Sequence, residues 1–136
     1  MKQKFFMRLA AAAAVLLLSA ATAMAHDFEV NGIFYTKVGD GSVSVTFEGS
    51  YYDASSNEYS GAVTIPASVK YSGKTYPVTL IGKSAFEGCY GLTSVEIPNS
   101  VTKIYDNAFC GCSGLTSVSI GNSVTSINDQ AFTICI

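Results

Sequence analysis

From Val78 onward the apolar positions fall in one order that returns every 23 residues. Val101, Ile104, Ala108, Phe109, Cys112, Leu115, Val118 and Ile120 each match their own residue type 23 positions earlier, at Val78, Ile81, Ala85, Phe86, Cys89, Leu92, Val95 and Ile97. With polar positions included, 78–100 and 101–123 agree at 15 of 23 positions, too many for chance at one fixed offset. A third copy opens at Val124, keeps Thr125, Ile127, Ala131, Phe132 and Cys135, and reaches Ile136 after 13 of the 23 positions. A unit this short cannot bury its apolar side chains alone, because ordering it costs more than its own contacts return. The pattern therefore predicts units stacked face to face, each shielding the next.

Inside a unit, Leu92-x-x-Val95-x-Ile97 ends in the in-and-out alternation of a short strand. Pro98 (Gly121 in the next copy) with Asn99-Ser100 turns the chain. Val101-x-x-Ile104 aims two more residues inward as a second short strand. Asp106 to Phe109 suits a single helical turn with Asp106 as its cap, and Gly111 and Gly114 allow the bends into the next strand.

Ahead of the repeats the period changes to two. Phe28 to Val30 and Ile33 to Tyr35 flank Asn31-Gly32, a strong hairpin signal. Gly39-Asp40-Gly41 is a further turn, and Ser42 to Phe47 reads as a strand with Val43, Val45 and Phe47 on one face. The polar, Tyr-rich stretch from Ser50 to Ser60 reads as a loop. Val63-x-Ile65-Pro66-x-Ser68-Val69 copies Val95-x-Ile97-Pro98-x-Ser100-Val101, so a degenerate first rung spans 62–77. The residues between Val69 and Val78 read as an inserted hairpin turning at Ser72-Gly73. Residues 26–61 are expected to cover the apolar face of that first rung, since stacked repeats need atypical ends.

The recurring string I-P-x-S-V-T-x-I-x-x-x-A-F-x-G-C-x-G-L-T-S-V-x-I resembles the BspA-like leucine-rich repeats of bacterial surface proteins, common in the Bacteroidetes group. The likeness covers about Ala62 to Ile136. It implies a right-handed solenoid with a parallel sheet on its concave side. The expected architecture is mostly β: a short leucine-rich repeat solenoid of 23-residue units, parallel strands plus single helical turns, behind an N-terminal antiparallel β cap. Its units are the degenerate rung 62–77, the repeats 78–100 and 101–123, and the partial repeat 124–136. This chain departs from the pattern in the last unit, where Ile134 stands in place of glycine.

The N-terminus adds an address. Lys2, Lys4 and Arg8 precede an apolar run from Leu9 to Leu18, and Ala23-Met24-Ala25 fits a cleavage site before His26. That order is a secretory signal peptide over residues 1–25. Read instead as an anchor, its apolar core is short of the roughly 20 residues a span needs, and no later stretch is apolar enough to cross a membrane. No cysteine stands near the cleavage point, which argues against a lipid-anchored form. The expected location is periplasmic, outer-surface or secreted. Beyond the signal, five cations face ten acids, a net charge of −5. A nucleic-acid role needs a basic face, so none is expected.

Candidate chemistry is sparse. Cys89, Cys112 and Cys135 share one repeat position, with rungs spaced about 4.8 Å apart. That spacing admits disulfides in an exported protein, but equivalent side chains in a stack point in parallel, which favours a ladder of buried thiols. Cys110 stands apart, and a Cys110–Cys112 bridge would strain its short loop. With His26 the only histidine, no metal site, nucleophile–base pair or phosphate loop can be assembled, and neither cofactor nor catalysis is expected. What remains is the outward face of the repeat strands: Thr93, Ser94 and Glu96, then Thr116, Ser117 and Ser119. These residues are the candidate contacts with a protein or cell-surface partner. The expected function is that of an exported, non-catalytic, adhesin-like interaction protein. The alternative is a truncated structural repeat fragment with no binding of its own. The unfinished last rung is also an edge on which two copies can pair.

Overall fold

The computed structural model describes residues 26–48 and 59–135. The signal-peptide reading and most of the Tyr-rich loop reading fall outside these residues. The described residues form ten strands: β1 (Phe28–Val30), β2 (Ile33–Lys37), β3 (Val43–Thr46), β4 (Gly61–Thr64), β5 (Ser68–Tyr71), β6 (Lys74–Ile81), β7 (Leu92–Ile97), β8 (Lys103–Ile104), β9 (Ser117–Ile120) and β10 (Ser126–Ile127). They build two sheets. One runs β1-β2-β3-β6-β8-β10 with β5 added beside β6, and the other runs β4-β7-β9. Each full rung contributes one strand to each sheet. The register follows the repeat: Val95 pairs with Val118, Ile97 with Ile120, Ile81 with Ile104 and Ile104 with Ile127, always 23 residues apart and always parallel.

The first rung is stretched by its insert. Val63 pairs with Val95 and Thr64 with Glu96, 32 residues apart. The nine extra residues fall within the β5–β6 hairpin, which turns at Ser72 and Gly73, both in the left-handed region (φ 53° and 80°). The N-terminal hairpin turns on Asn31 and Gly32 (φ 52° and 82°), as an Asn-Gly pair at such a turn requires. β3 then joins β6 in parallel, extending the larger sheet over the first rung. Its burial differs from the alternation expected. Ser44 and Thr46 are buried along with Val43 and Val45, while Phe47 is half-buried.

The expected helical turn at Asp106–Phe109 is absent. Asn107 adopts a left-handed conformation (φ 59°), as do Ser84 and Gln130 at the same repeat position. The N–H groups of this segment alternate between two destinations. Ala108, Cys110 and Cys112 donate to carbonyls three residues back, forming successive turns, whereas Asn107, Phe109 and Gly111 donate to Asp129, Ala131 and Thr133 of the next rung. A helix starting at Asp106 would turn the N–H groups from Cys110 onward to its own carbonyls, whereas here Gly111 joins Asn107 and Phe109 in donating to the next rung, so stacking between rungs wins over local helicity. Asp106 caps nothing here; its carbonyl accepts from Ser84 N–H of the preceding rung.

The core is a file of matched layers. Leu92, Val95, Val101, Ile104, Phe109 and Cys112 are all buried. Phe86, Phe109 and Phe132 stack nearly parallel at 4.8 and 5.0 Å between ring centroids. The column continues through Tyr59, whose ring lies 4.5 Å from Phe86, and on to Phe34. Tyr59 thus leaves the loop expected for it and enters the core. Its hydroxyl donates to Thr46 O (2.6 Å) and accepts from Phe34 N–H (3.0 Å), so Tyr59 is bonded within the cap while its ring packs on Phe86 of the first full repeat. The C-terminal end of the stack is less covered than its pattern suggests: Ile120 and Ile127 are exposed, and Leu115, Val118, Val124 and Phe132 only half-buried, because no described rung lies over them.

At the glycine-equivalent bend of that rung, Ile134 sits at φ 61°, where Gly88 and Gly111 take φ 73° and 77°. A side chain in that region costs roughly 1–2 kcal/mol, and a β-branched one is a clear outlier. Ile134 is exposed, so little burial offsets the strain. Replacing Ile134 with Gly is expected to stabilise the chain by about 0.5–1 kcal/mol after glycine's extra unfolded-state entropy is counted. Urea unfolding of the two forms checks this; a less stable I134G protein contradicts it.

Candidate functional site

The three-stranded sheet presents its hydroxyl-bearing face outward because its inward positions carry leucine, valine and isoleucine. Thr93, Glu96, Thr116, Ser117 and Ser119 are exposed and Ser94 is half-buried. The register gathers them into cross-strand rows, Ala62–Ser94–Ser117 and Thr64–Glu96–Ser119. Thr64 Oγ1 donates to Glu96 Oε1 at 3.2 Å. The two threonines stand apart from these rows. Thr116 N–H and Oγ1 both donate to Thr93 O, at 2.9 and 3.1 Å, so the Thr116 hydroxyl already serves the rung-to-rung ladder.

The second row opens into a shallow groove of about 540 Å³ at the C-terminal ends of the strands. Its walls include Thr64, Glu96, Ser119, Asn99, Asn122 and Ile120. Asn122 N–H donates to Asn99 Oδ1 at 2.9 Å, so the amides continue the ladder where the strands end. In the sequence Asn99 has the character of a turn residue; the recurrence of asparagine at Asn122, the same repeat position, was the available sign of a shared surface. Glu96 is the only ionisable side chain among those lining the groove. Such a set can accept and donate hydrogen bonds and meet one cation, but it holds no pair for proton transfer.

The cysteines form the ladder expected of stacked thiols, with no disulfide among the described residues. Cys112 Sγ donates to Phe86 O at 3.0 Å and Cys135 Sγ to Phe109 O at 2.9 Å, each reaching back one rung. Burial, reinforced by the neighbouring Cys89 and Cys135, pushes the Cys112 thiol from 9.0 up to about 12. Burial also raises Cys110 and Cys135, and lifts the Tyr35 hydroxyl from 10.0 to about 12. A raised pKa means that the folded chain keeps a proton the unfolded chain releases. The stability from Cys112 and Tyr35 is therefore fully present below pH 9 and is lost as pH rises towards 12. Urea unfolding across that window is expected to show a steady decline, with a shallower slope for Cys112→Ala; a flat profile contradicts it. These thiols are poor nucleophiles near neutrality, since the thiolate is the reactive form.

Comparison with known proteins fits this geometry. The family described as "BspA type Leucine rich repeat region (6 copies)" matches residues 71–136. A leucine-rich repeat protein from Bacteroides ovatus superposes with a TM-score of 0.69 at 32% identity, over 81% of this chain and 27% of that one. One from Bacteroides capillosus gives 0.64 at 31%, over 77% and 72%. A leucine rich cell surface protein from Faecalibacterium prausnitzii gives 0.63 at 30%, over 87% and 30%. The chain thus spans about a quarter of the B. ovatus protein and most of the B. capillosus one. No functionally curated protein matches it significantly. With its 23-residue register, stacked phenylalanines and thiol ladder, the chain belongs to the BspA-type leucine-rich repeat family.

Proposed function

We propose that this protein is an exported, non-catalytic interaction module that contacts a protein or cell-surface partner through the outward face of β7 and β9, in the manner of an adhesin. One observation carries the reading: the register places Ser94 beside Ser117 and Glu96 beside Ser119 on an accessible face that ends in a polar groove. Neutral hydroxyls and amides around a single carboxylate suit recognition. The rim of a typical protein interface is likewise polar and solvent-accessible. The description of the F. prausnitzii relative as a cell surface protein supports the location, as does the signal-like order of residues 1–25.

Fluorescently labelled protein should bind bacterial or epithelial cells saturably in flow cytometry. The double variant Glu96→Arg, Ser117→Arg should bind at least about tenfold more weakly, since bulk and charge now occupy the contact face, with unchanged thermal unfolding. Equal binding by wild type and variant, or no saturable binding by either, removes the proposal.

A further inference from the structure

The geometry points to a second binding site, at the edge of the same sheet and sharing only Thr64 with the groove of the face just described: the outer edge of β4 accepts an extended peptide segment of a partner as an added strand, with a carboxylate of that segment beside Lys70. β4 pairs with β7 on one side only and is the terminal strand of its sheet. In a parallel pair alternate residues point both backbone groups at the neighbour. Gly61 N–H donates to Gly91 O and Ile65 N–H to Glu96 O, so the N–H and C=O groups of Ala62 and Thr64 point to the other, open edge. Among the described residues no bond to that edge is made.

The space beside this edge is shaped for a strand. Two hollows of about 320 and 380 Å³ adjoin there, sharing Asn31, Ile33 and Thr64. One wall is β4 and the residues after it; the other is the β1–β2 hairpin around its Asn31-Gly32 turn. The floor changes along its length. Near Ser60 and Ala62 it is polar, and beyond Thr64 it becomes apolar through Ile33, Tyr35 and Val69. Strand addition works in this way, main-chain bonds giving affinity and pockets for alternate side chains giving selectivity.

Charge selects the occupant and its direction. Lys70 is the only charged side chain lining either hollow, and it lies beyond the C-terminal end of β4. Lys37 and Lys74 add positive charge nearby, their Nζ atoms 5.9 and 5.1 Å from the Tyr76 ring, and Tyr76 pairs with Val69. The acids at its margins already have donors away from the Lys70 end: Glu29 accepts from Gly32 N–H and Glu96 from the Thr64 hydroxyl. The segment that fits is therefore an alternating apolar and hydroxyl strand bearing an acid at the Lys70 end.

A fluorescein-labelled, C-terminally amidated peptide with the sequence of residues 42–48, Ser-Val-Ser-Val-Thr-Phe-Glu, has this pattern and serves as the probe. In ¹⁵N-labelled protein its addition should shift the Ala62 and Thr64 amide signals and slow their hydrogen exchange. Thr64→Pro removes an edge donor at a position where an edge strand tolerates proline, and should weaken binding about tenfold in fluorescence anisotropy. A peptide N-methylated at alternate residues, which leaves the protein untouched, should lose affinity to the same degree. Lys70→Glu should weaken the acidic peptide about fivefold and favour a Lys-ended one. The proposal is overturned if the Ala62 and Thr64 signals stay unmoved at about 1 mM peptide. Shifts confined to β3, or confined to Ser94, Ser117 and Ser119, overturn it too, as does equal binding by the N-methylated peptide. A failure of the cell-binding experiment leaves these outcomes readable, because they report on the backbone of the β4 edge and not on the side chains of Glu96 and Ser117.

Discussion

Replacing Phe109 with Ala is expected to cost about 3–5 kcal/mol of unfolding free energy. Phe109 is fully buried and lies between Phe86 and Phe132, stacked on both faces at 4.8 and 5.0 Å. Each such pair contributes about 0.5–1.5 kcal/mol beyond the area it buries, and the cavity left in a matched column has backbone ladders on its flanks that resist collapse. Repeat stacks hold together by nearest-neighbour contacts, so the same change should also uncouple the rung beyond it. Hydrogen exchange at Asn128 and Ala131 should accelerate more than at Val43 and Val45. Phe132→Ala serves as the comparison: Phe132 is half-buried and stacked on one face only, so its loss should be smaller. Urea unfolding of the three proteins decides the matter. A loss under about 1 kcal/mol for F109A, the size of an ordinary surface change, shows that the column does not hold the rungs together.

The aromatic column also shows how far the sequence could be read. The 23-residue period gave the register directly, because side chains that recur at one interval in stacked strands must lie opposite one another; Val95 beside Val118 and Ile104 beside Ile127 follow from counting. The two hairpins were equally open to reading, since Asn31-Gly32 and Ser72-Gly73 supply the left-handed residues their turns demand. Tyr59 was hidden for the opposite reason. It continues the phenylalanine column from outside the repeat frame, so no periodic position announced it, and its polar neighbours made the stretch resemble a loop. The segment around Asn107 misled in another way. Asp-Asn-Ala-Phe has the local character of a helix start, and local preference cannot say whether an N–H will be satisfied within the segment or by the next rung. The candidate face was legible as a set of outward positions, while the groove formed by Asn99 and Asn122 depends on how two turns stack, which only the folded chain displays.

Gly114→Ala should be nearly as damaging as the loss of Phe109, at about 3 kcal/mol, though it adds one methyl group instead of removing a ring. A Cβ placed on Gly114 would sit 2.4 Å from Tyr90 O and 3.4 Å from Leu92 O. Both atoms are backbone of the preceding rung, so the clash cannot be relieved by rotating a side chain; the rungs themselves would have to part. Gly114 occupies the bend where the chain enters the next rung, and its hydrogen atom sets how closely two rungs approach. Gly91, at the same repeat position one rung earlier, meets Ser60 Cβ at 3.2 Å and Ser60 Cα at an ordinary 3.9 Å. Ser60 precedes the first rung, where a few tenths of an ångström of adjustment disturbs no ladder on its far side. Gly91→Ala should therefore cost under about 1 kcal/mol, and Gly39→Ala, with nothing within 4 Å of the new Cβ, should be close to neutral. The ordering Gly114, then Gly91, then Gly39 in urea unfolding is the expected result. Equal losses at Gly114 and Gly91 would mean that the spacing between rungs adapts freely, and that close backbone stacking is not what limits substitution at these bends.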